Sequence, residues 1–310
     1  LPSPLLNQIK RLAAFQNPEF YKKQSMRMST AGTPRVITCA EDLPQFVAIP
    51  RGCRDLLVTL LGEHGIRPSL EDQRSEGDEV ALQFHGQLSP TQEQAAAALL
   101  ADDMGIFVAP PGTGKTVVGA FVIAKRGRNT LILVHRKPLL EQWVAQLSLF
   151  LGIAPKEIGQ IGGGKRKPTG RVDVAMIQSL VRQGSVSDLV AKYGHVVIDE
   201  CHHLPGGVRR DAARMCAATR RLGLTATPQR SDGRHVDLES LIGPRAYELP
   251  LSEVRGRTLA DYEVVRIPIH LTPAEQARYD RLSREVREYM AERRKTDPHF
   301  SWEQLCADVA

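Results

Sequence analysis

The spacing of hydrophobic and polar positions changes near residue 80. From Val80 onward, short runs rich in β-branched residues alternate with segments whose apolar residues recur at helical spacing. This alternation predicts an α/β domain in which crossover units build a parallel β-sheet with flanking helices. The candidate strands are residues 105–108, 130–135, 172–176, 196–198 and 222–225. Each run ends in a polar or glycine-containing cluster, and we expect these clusters to meet at one edge of the sheet.

The chain before residue 80 has a different pattern. Helical spacing predicts two short helices within residues 4–29 and another at 54–63, and β-rich runs lie at 36–39 and 46–49. The polar stretch 71–79 carries five acidic residues and one glycine, which is typical of a surface loop or linker. We therefore predict a small α+β region over residues 1–79 and a main domain over residues 80–234.

The last part of the chain, residues 235–310, is predicted to be a linker that contains a long helix. Thr272 and Glu275 have the spacing of a capping box, with Pro273 at the first helical position. The helix is expected to reach about residue 295, and its apolar stripe, which includes Tyr279 and Leu282, is expected to pack against a partner surface.

Composition narrows the class of protein. Hydrophobic residues make up 42% of the chain, an ordinary globular value that excludes wholesale disorder. The longest apolar run, Val117 to Ala124, has eight residues, whereas a membrane span needs about 20. Five scattered cysteines without a Cys-x-x-Cys pair predict free thiols. With no pattern of a signal peptide near Leu1, we expect a cytoplasmic protein without a membrane partner.

The segment 109–116 carries the clearest chemical signal, because it follows a candidate strand and precedes an apolar helix expected from about Val117. Glycines in such a loop let backbone N–H groups surround phosphate oxygens. Lys115 suits the β- and γ-phosphates, and the Thr116 hydroxyl suits Mg²⁺. Ala109 replaces the first glycine of the general pattern. The predicted nucleotide-binding residues are Pro111, Gly112, Thr113, Gly114, Lys115 and Thr116.

A second signal lies at the end of the strand 196–198, which delivers Asp199 and Glu200 to the same predicted edge. Asp199 is placed to hold the metal ion together with Thr116, and Glu200 to polarise the attacking water. An acidic pair alone is more often a solvated turn. Combined with Lys115 in this order along the chain, it predicts a catalytic set of Lys115, Asp199 and Glu200 for phosphoryl transfer.

The tetrad 199–202, Asp-Glu-Cys-His, resembles motif II of superfamily 2 helicases of the DEAD/DEAH-box kind. The resemblance covers residues 86–234 and is closest to the XPB-like and type III restriction-subunit group. It implies a RecA-like P-loop domain that uses ATP and Mg²⁺. Within residues 88–92, Gln92 resembles the residue that reads the adenine edge. His202, Thr225 and Thr227 resemble residues that couple hydrolysis to movement on the strand.

Further motifs resemble the nucleic-acid contacts of that family. His135 and Arg136 lie in a segment similar to motif Ia, and Gln178 and Ser179 lie in one similar to the neighbouring phosphate-contacting motif. Basic residues also cluster, at 165–167 and among five arginines between residues 209 and 221. The net charge of +6 permits nucleic-acid binding. Aromatic residues make up only 5%, so we expect the protein to contact backbone phosphates rather than stack on bases.

Each weaker motif has a structural alternative that the sequence leaves open. Ser89 and Gln92 also have capping-box spacing, and both roles are compatible. Thr225 and Thr227 also suit a strand end, and Arg136 and the basic runs also suit a solvated surface. Cys201 with the two following histidines is disfavoured as a zinc site, because adjacent residues of one turn point in different directions.

The resemblance implies an ATP-dependent motor that translocates on or unwinds nucleic acid, DNA rather than RNA. A nucleotide-gated binding or assembly switch is the alternative, and ATP hydrolysis without strand displacement would favour it. The family's arginine finger comes from a second RecA-like lobe, and the chain has no Gln-x-x-Gly-Arg-x-x-Arg segment. We therefore expect these residues to be the first lobe of a longer motor, partnered by a second lobe.

The block 7–18 resembles helicases of bacterial conflict systems that accompany nuclease and primase-like domains. The resemblance predicts a role in antiviral defence with such partners, while repair and restriction stay open.

Overall fold

The computed structural model describes residues 1–26, 28–182, 185–203, 216–226, 239, 241–250, 253, 268, 270–297 and 305. The chain divides into two units, Leu1–Asp261 and Tyr262–Ala310.

The first 66 residues of the larger unit form short elements around two small apolar clusters. Leu5, Ile9 and Leu61 are buried in one cluster, and Cys39 and Cys53 in the other. The predicted helices and both β-rich runs are present. They are helices α1 (Ser3–Leu12), α2 (Pro18–Ser25) and α3 (Arg54–Glu63), and the antiparallel pairs β1 (Ala14–Gln16) with β2 (Val36–Thr38) and β3 (Glu41–Asp42) with β4 (Val47–Ala48).

An eight-stranded sheet organises the rest of the unit, in the order β14-β5-β13-β12-β6-β9-β7-β8. Every pairing is parallel except that of the edge strand β8 with β7. The strands are β5 (Met104–Val108), β6 (Thr130–Val134), β7 (Gly159–Gly162), β8 (Lys165–Lys167), β9 (Val172–Met176), β12 (His195–Asp199), β13 (Arg220–Thr225) and β14 (Arg245–Glu248). The small pair β10 (Val181–Arg182) and β11 (Ser185–Val186) stands apart.

The core lies on both faces of this sheet, because successive side chains of a strand point to opposite sides. In β6, Ile132 belongs to the apolar cluster on one face, and Leu131 and Leu133 belong to the cluster on the other. Since both faces are covered, the strands are continuously apolar rather than alternating. This explains why the five strands recognised in the sequence were the short β-branched runs, and the structure confirms all five.

Three helices cover the first of these faces. They are α4 (Pro90–Ala101), α5 (Lys115–Arg126) and α6 (Lys137–Leu151). Trp143 of α6 is fully buried, and a Cβ atom added to Gly119 of α5 would lie 2.9 Å from the Trp143 ring. The two helices therefore pack closely because position 119 has no side chain. The architecture is the predicted α/β domain with a parallel sheet and flanking helices.

Three strands of the sheet were missing from the sequence prediction, for identifiable reasons. β7 contains two glycines, and β8 consists of three exposed charged residues, so neither has the apolar signature of a strand. β14 follows Gly243 and Pro244 and pairs with β5 through an irregular register. Backbone pairing to their neighbours places these strands in the sheet, and side chains such as Ile161 of β7 and Tyr247 of β14 add apolar contacts.

The segment that leads into the sheet domain is joined to it by backbone hydrogen bonds. Ser75 pairs with Ala218, and the N–H group of Val80 donates to the carbonyl of Gly127. Arg220 forms an ion pair with Glu76 at 2.6 Å. The acidic stretch 71–79 therefore lies along the domain at these points, and the domain boundaries at residues 79 and 234 stay predictions.

In the smaller unit, the long helix α7 (Pro273–Thr296) begins at the predicted capping box, in which Thr272 and Glu275 bond reciprocally. Its apolar stripe differs from expectation. Tyr279 is 60% exposed and Leu282 is 44% exposed. Val286 and Met290 of the same stripe are partly buried, so the predicted packing is absent at Tyr279 and Leu282 and stays a prediction for the rest of the stripe.

Candidate active site at the carboxyl edge of the sheet

The loop between β5 and α5 curls through two left-handed glycines. Gly112 has a φ of +80° and Gly114 a φ of +81°, a region that other residues seldom adopt. Ala109, which replaces the expected first glycine, does not have a positive φ. Its N–H group donates to the Thr225 carbonyl. Alanine fits because this position continues the extended strand. The departure from the sequence pattern therefore leaves the loop geometry intact.

Lys115 is the first residue of α5, and its side chain turns back across the loop. Its Nζ atom donates to the carbonyls of Ala109 at 2.9 Å and Pro110 at 3.2 Å. Burial lowers the pKa of Lys115, and the carboxylates of Glu200 and Asp199 oppose this by favouring the ammonium form. The structure therefore brings Lys115 and the acidic pair into one electrostatic environment, as the parallel sheet predicted.

Asp199 is the last residue of β12, and its carboxylate is fixed from two sides. The indole Nε1–H of Trp143 donates to Oδ2 at 2.8 Å, and the N–H group of Glu200 donates to Oδ1 at 2.9 Å. Asp199 is only 7% exposed. Trp143 is not among the site residues predicted from the sequence. Its position one turn after Leu140 marks it as a core residue of α6, and nothing in the pattern shows that its ring nitrogen reaches the carboxylate.

Glu200 has the unusual backbone conformation expected at a functional turn. Its φ of +47° is the only positive value among the described residues other than glycine. Such a conformation costs about 1–3 kcal/mol and persists only where neighbouring structure imposes it. Burial, followed by the charge of Asp199, raises the pKa of Glu200, while Lys115 opposes the shift. The turn directs two carboxylates toward one lysine.

Cys201 follows the turn and is fully buried in the apolar cluster behind it. A Cβ atom on Gly223 of β13 would lie 3.1 Å from its sulfur. Burial is the main cause that raises the pKa of this thiol, with the adjacent carboxylates adding to it. The glycine on β13 therefore leaves room for the Cys201 side chain.

His202 connects the acidic pair to the neighbouring strand. Its Nδ1 lies 2.9 Å from the Thr225 hydroxyl and 3.3 Å from a Glu200 carboxylate oxygen. The His203 ring contacts both the His202 ring, at a centroid distance of 4.1 Å, and the His135 ring, at 4.4 Å. Among the described residues no group of three or more His, Cys, Asp or Glu has the arrangement of a metal centre. Thr227, the other predicted coupling residue, lies outside the described residues.

Gln92 forms the capping contact that the sequence left open, and its contact with adenine stays a prediction. It completes the capping box with Ser89 at the start of α4, and its Nε2 also donates to the carbonyl of Thr113 at 3.0 Å. The Thr113 hydroxyl in turn donates to the Pro110 carbonyl at 2.7 Å. Pro111 is exposed at the loop surface, and Thr116 is half-buried on the first turn of α5. The residues predicted to bind nucleotide thus form one continuous loop and helix start.

The residues predicted to contact nucleic acid lie at the ends of two adjacent strands, β6 and β9. The Gln178 side chain donates to the His135 carbonyl at 3.2 Å, and Arg166 donates to the Ser179 carbonyl at 3.4 Å. Arg136 is exposed. These four predicted positions therefore share one stretch of the same sheet edge as the acidic pair.

The basic clusters divide into different environments. Residues 165–167 form the exposed edge strand β8. Arg221, in contrast, is only 5% exposed at the start of β13, and Arg220 pairs with Glu76. The interpretation of these two arginines as part of a solvated run is wrong, because they enter a central strand of the sheet. The arginines at 209, 210 and 214 lie outside the described residues.

Comparison with known proteins agrees with this geometry. Residues 85–230 match the family model described as "Type III restriction enzyme, res subunit". This segment is a superfamily 2 helicase domain. A "DNA 3'-5' translocase XPB2" of Sulfurisphaera tokodaii is 33% identical over 207 residues, which are 67% of this chain and 46% of the relative. A "DNA 3'-5' helicase XPB" of Mycobacterium tuberculosis is 36% identical over 66% of this chain and 38% of the relative.

The fold of the helicase domain is also found in a solved structure. The UvsW helicase from bacteriophage T4 superimposes with a TM-score of 0.59 at 15% identity, over 79% of this chain and 93% of that one. This likeness shows the fold, and the two curated relatives place the domain in the XPB-like and type III restriction-subunit group, as predicted. The chain spans less than half the length of those two relatives. No helix among the described residues is long and apolar enough to cross a membrane.

Proposed function

We propose that this chain contains the first lobe of a motor that hydrolyses ATP to translocate on or unwind DNA. The meeting of Lys115 with Asp199 and Glu200 at one sheet edge supports this most directly. In this proposal the N–H groups of the loop around Gly112 and Gly114 bind phosphate oxygens, and Lys115 neutralises their charge. Glu200 accepts a hydrogen bond from the attacking water and orients it.

The residues present fit a magnesium nucleotide. Lys115 is a half-buried cation whose nitrogen is hydrogen-bonded to two neutral carbonyls, so it can exchange these for the oxygens of an anionic ligand. Mg²⁺ is commonly held by one or two protein ligands together with substrate phosphates, so it requires no three-residue cluster. Thr116 and Asp199 would hold it, and the bound ion would neutralise charge on the phosphates. Both carboxylate oxygens of Asp199 retain acceptor capacity beyond their single hydrogen bonds.

His202 and Thr225 supply a route by which the site acts on the sheet. The imidazole touches both Glu200 and the Thr225 hydroxyl, so a change at Glu200 alters a hydrogen bond to the end of β13. We propose that this contact, together with Thr227, couples hydrolysis to movement. The strand contacts would come from His135, Arg136, Gln178 and Ser179, which lie along the same edge.

The whole motor requires parts beyond the described site. An arginine that neutralises charge on the γ-phosphate is worth about 10³–10⁵ in rate in related enzymes, and we propose that a second RecA-like lobe provides it. The names of the two curated relatives support DNA as the substrate. A cytoplasmic location, nuclease or primase-like partners and a role in antiviral defence stay predictions.

Two assays on the full-length protein test the function. We expect DNA to stimulate ATP hydrolysis and the protein to displace a strand or a triplex-forming oligonucleotide in an ATP-dependent way. Single-stranded DNA, duplex DNA and RNA should be compared at one fixed salt concentration, because phosphate contacts depend on ionic strength. Hydrolysis without either displacement activity would contradict the motor and favour a nucleotide-gated switch.

Replacing Gln92 separates its two contacts. Gln92→Ala should lower stability by about 1 kcal/mol, because the Ser89 N–H group loses its Gln92 acceptor, and should also reduce the preference for ATP over GTP. Ser89→Ala is the matched control, because it removes the other hydrogen bond of the capping box and leaves the Gln92 side chain able to contact Thr113. Melting curves and competition between the two nucleotides measure both effects. Equal loss of nucleotide preference in the two variants would assign Gln92 a capping role alone.

Trp143 is expected to act on metal binding through Asp199. Trp143→Phe keeps an aromatic ring in the core but leaves a buried carboxylate oxygen without its donor, which costs about 1–3 kcal/mol. We expect the Mg²⁺ concentration for half-maximal hydrolysis to rise about tenfold. Leu147→Ala is the control, since it creates a cavity on the same helix and should leave the Mg²⁺ dependence unchanged. An unaltered Mg²⁺ dependence in Trp143→Phe would reduce Trp143 to a packing residue.

A further inference from the structure

A second cavity lies at the opposite edge of the sheet, where β5 and β13 begin. Its volume is about 860 Å³, and it is lined by residues of the N-terminal region and of the helicase domain. Apolar side chains, including Ile49, Leu70, Met104 and Leu241, form much of its wall. A volume of this size is typical of sites for small organic ligands. Nothing in the proposed motor uses this cavity.

Two arginines of the cavity lining have polar atoms that are buried without partners. Arg51 donates from Nη2 to the Ala218 carbonyl, and Arg221 donates from its two Nη atoms to the carbonyls of Leu241 and Cys216, each at 2.6 Å. Within the part of the chain that the structure describes, neither Nε atom has a hydrogen-bond partner. A buried donor left unsatisfied costs about 1–3 kcal/mol, and more when it is charged.

Among the described residues, these two guanidinium groups have no carboxylate in direct contact, and Asp103 opposes the lowering of the Arg51 pKa only in part. Burial is the largest cause that lowers the pKa of Arg51 to about 9, and the charge of Arg221 is the next. Burial also lowers the pKa of Arg221. A lowered pKa means that the charged guanidinium form is less favourable at these buried positions than it is in water. The two guanidinium groups are near enough to repel one another, and their direct hydrogen bonds go to neutral carbonyls.

The nearby carboxylates are engaged by other groups or lie toward solvent. Asp72 accepts from Arg74 through both oxygens, and Arg74 also binds Asp103. The charge of Arg74 is therefore compensated by carboxylates in direct contact, unlike those of Arg51 and Arg221. Two further carboxylates line the cavity, and both are exposed: Glu41 and Glu71. Among the described residues, no ion pair joins a carboxylate to Arg51 or Arg221.

We propose that this cavity binds a phosphate group between Arg51 and Arg221. A phosphate dianion matches the two positive charges, and the planar guanidinium fork suits phosphate oxygens. Both Nε atoms are shielded from the cavity, so each Nε–H group would meet an acceptor only after its side chain turns toward the bound phosphate. The apolar walls would then contact the organic part of the ligand. This phosphate comes either from a small phosphorylated molecule or from a nucleic-acid backbone. The site is separate from the ATP site, since it lies at the amino ends of the strands.

The test begins with a variant that weakens the other phosphate site. In a Lys115→Ala background, inorganic phosphate and pyrophosphate are titrated by calorimetry, and the melting temperature is followed in parallel. We expect binding and a rise in melting temperature. Adding Arg51→Met or Arg221→Met should weaken binding at least tenfold, which is the loss expected for one charged hydrogen bond. Arg54→Met is the matched control, because Arg54 also lines the cavity but pairs with Asp55.

Two outcomes would overturn the proposal. One is the absence of any phosphate binding in the Lys115→Ala background, and the other is binding that survives both Arg51→Met and Arg221→Met. Circular dichroism without phosphate identifies folded variants. If Arg221→Met does not fold, Arg51→Met and Arg51→Lys decide the question, since lysine keeps the charge but lacks the planar fork and should restore binding only in part.

The source of the phosphate is resolved in a further arm of the same experiment. A nucleoside monophosphate and a short single-stranded DNA without terminal phosphates are each tested for competition with pyrophosphate. Competition by the monophosphate alone assigns the cavity to a small molecule. Competition by the strand, lost in Arg51→Met, assigns it to the nucleic-acid backbone. If neither ligand competes while pyrophosphate binds through Arg51, the cavity takes an inorganic anion, and the proposed organic part of the ligand is wrong.

Discussion

Replacing Lys115 with alanine should weaken nucleotide binding by about 10- to 100-fold and reduce hydrolysis by a further factor on the order of 10²–10³. The first loss corresponds to a charged hydrogen bond of about 1.5–3 kcal/mol, and the second to removal of a preorganised donor that stabilises developing charge. The Lys115 ammonium group already lies across the loop mouth, bound to the carbonyls of Ala109 and Pro110. It therefore needs little rearrangement to meet a phosphate.

Equilibrium binding of a fluorescent nucleotide and steady-state hydrolysis measure the two losses. Lys125→Ala is the matched control, because Lys125 lies on the same helix near its last turn and its ammonium group lies over the Phe121 ring. We expect this control to behave as the unaltered protein does. Unreduced hydrolysis in Lys115→Ala would refute the assignment of the loop.

Glu200→Gln should reduce hydrolysis by about 10³-fold or more while leaving nucleotide affinity within about a factor of three. This expectation rests on the role of a carboxylate that orients and polarises the attacking water, which an amide of the same shape performs poorly. The amide preserves the size of the side chain in a turn whose φ is +47°. The variant should therefore bind ATP, remain in the bound state, and turn over only slowly.

Single-turnover hydrolysis after rapid mixing, combined with binding measurements, separates the two effects. Glu141→Gln is the control, since Glu141 is exposed on α6 and forms an ion pair with Lys137. Loss of binding and hydrolysis together in Glu200→Gln would indicate that the turn itself had collapsed. Undiminished hydrolysis would remove Glu200 from the reaction.

The sequence predicted the position of the site because that position follows from topology. Parallel strands place their carboxyl ends at one edge, so the order of Lys115 and Asp199 along the chain, each after an apolar run, was enough to bring them together. The five buried strands were recognised because each is a short run of β-branched and other apolar residues. β14 was not recognised, because its pairing depends on backbone hydrogen bonds to β5, which is distant in sequence. β7 and β8 were not recognised, because glycines in one and exposed charged residues in the other hide the apolar pattern of a strand.

The contacts that support the site could not be predicted from the sequence. Trp143 occupies an ordinary core position of a helix, and its hydrogen bond to Asp199 arises from packing between elements 56 residues apart. Arg221 appears in a basic run, yet it is buried because β13 enters the sheet there. The spacing of apolar residues in a segment predicts whether it forms a helix or a strand. These contacts depend instead on which other elements the segment packs against in the folded chain.

The rate at which the buried Cys201 thiol reacts can be used to measure local unfolding of the turn that carries Glu200. It is fully buried behind that turn, and its raised pKa keeps it protonated and unreactive near neutral pH. Alkylation by iodoacetamide must then wait for local unfolding, so its rate records how often the segment opens. The rate is compared with and without nucleotide, and the Cys201→Ser variant corrects for reaction at other cysteines. A slower reaction with nucleotide would show that nucleotide binding stabilises this segment against local unfolding.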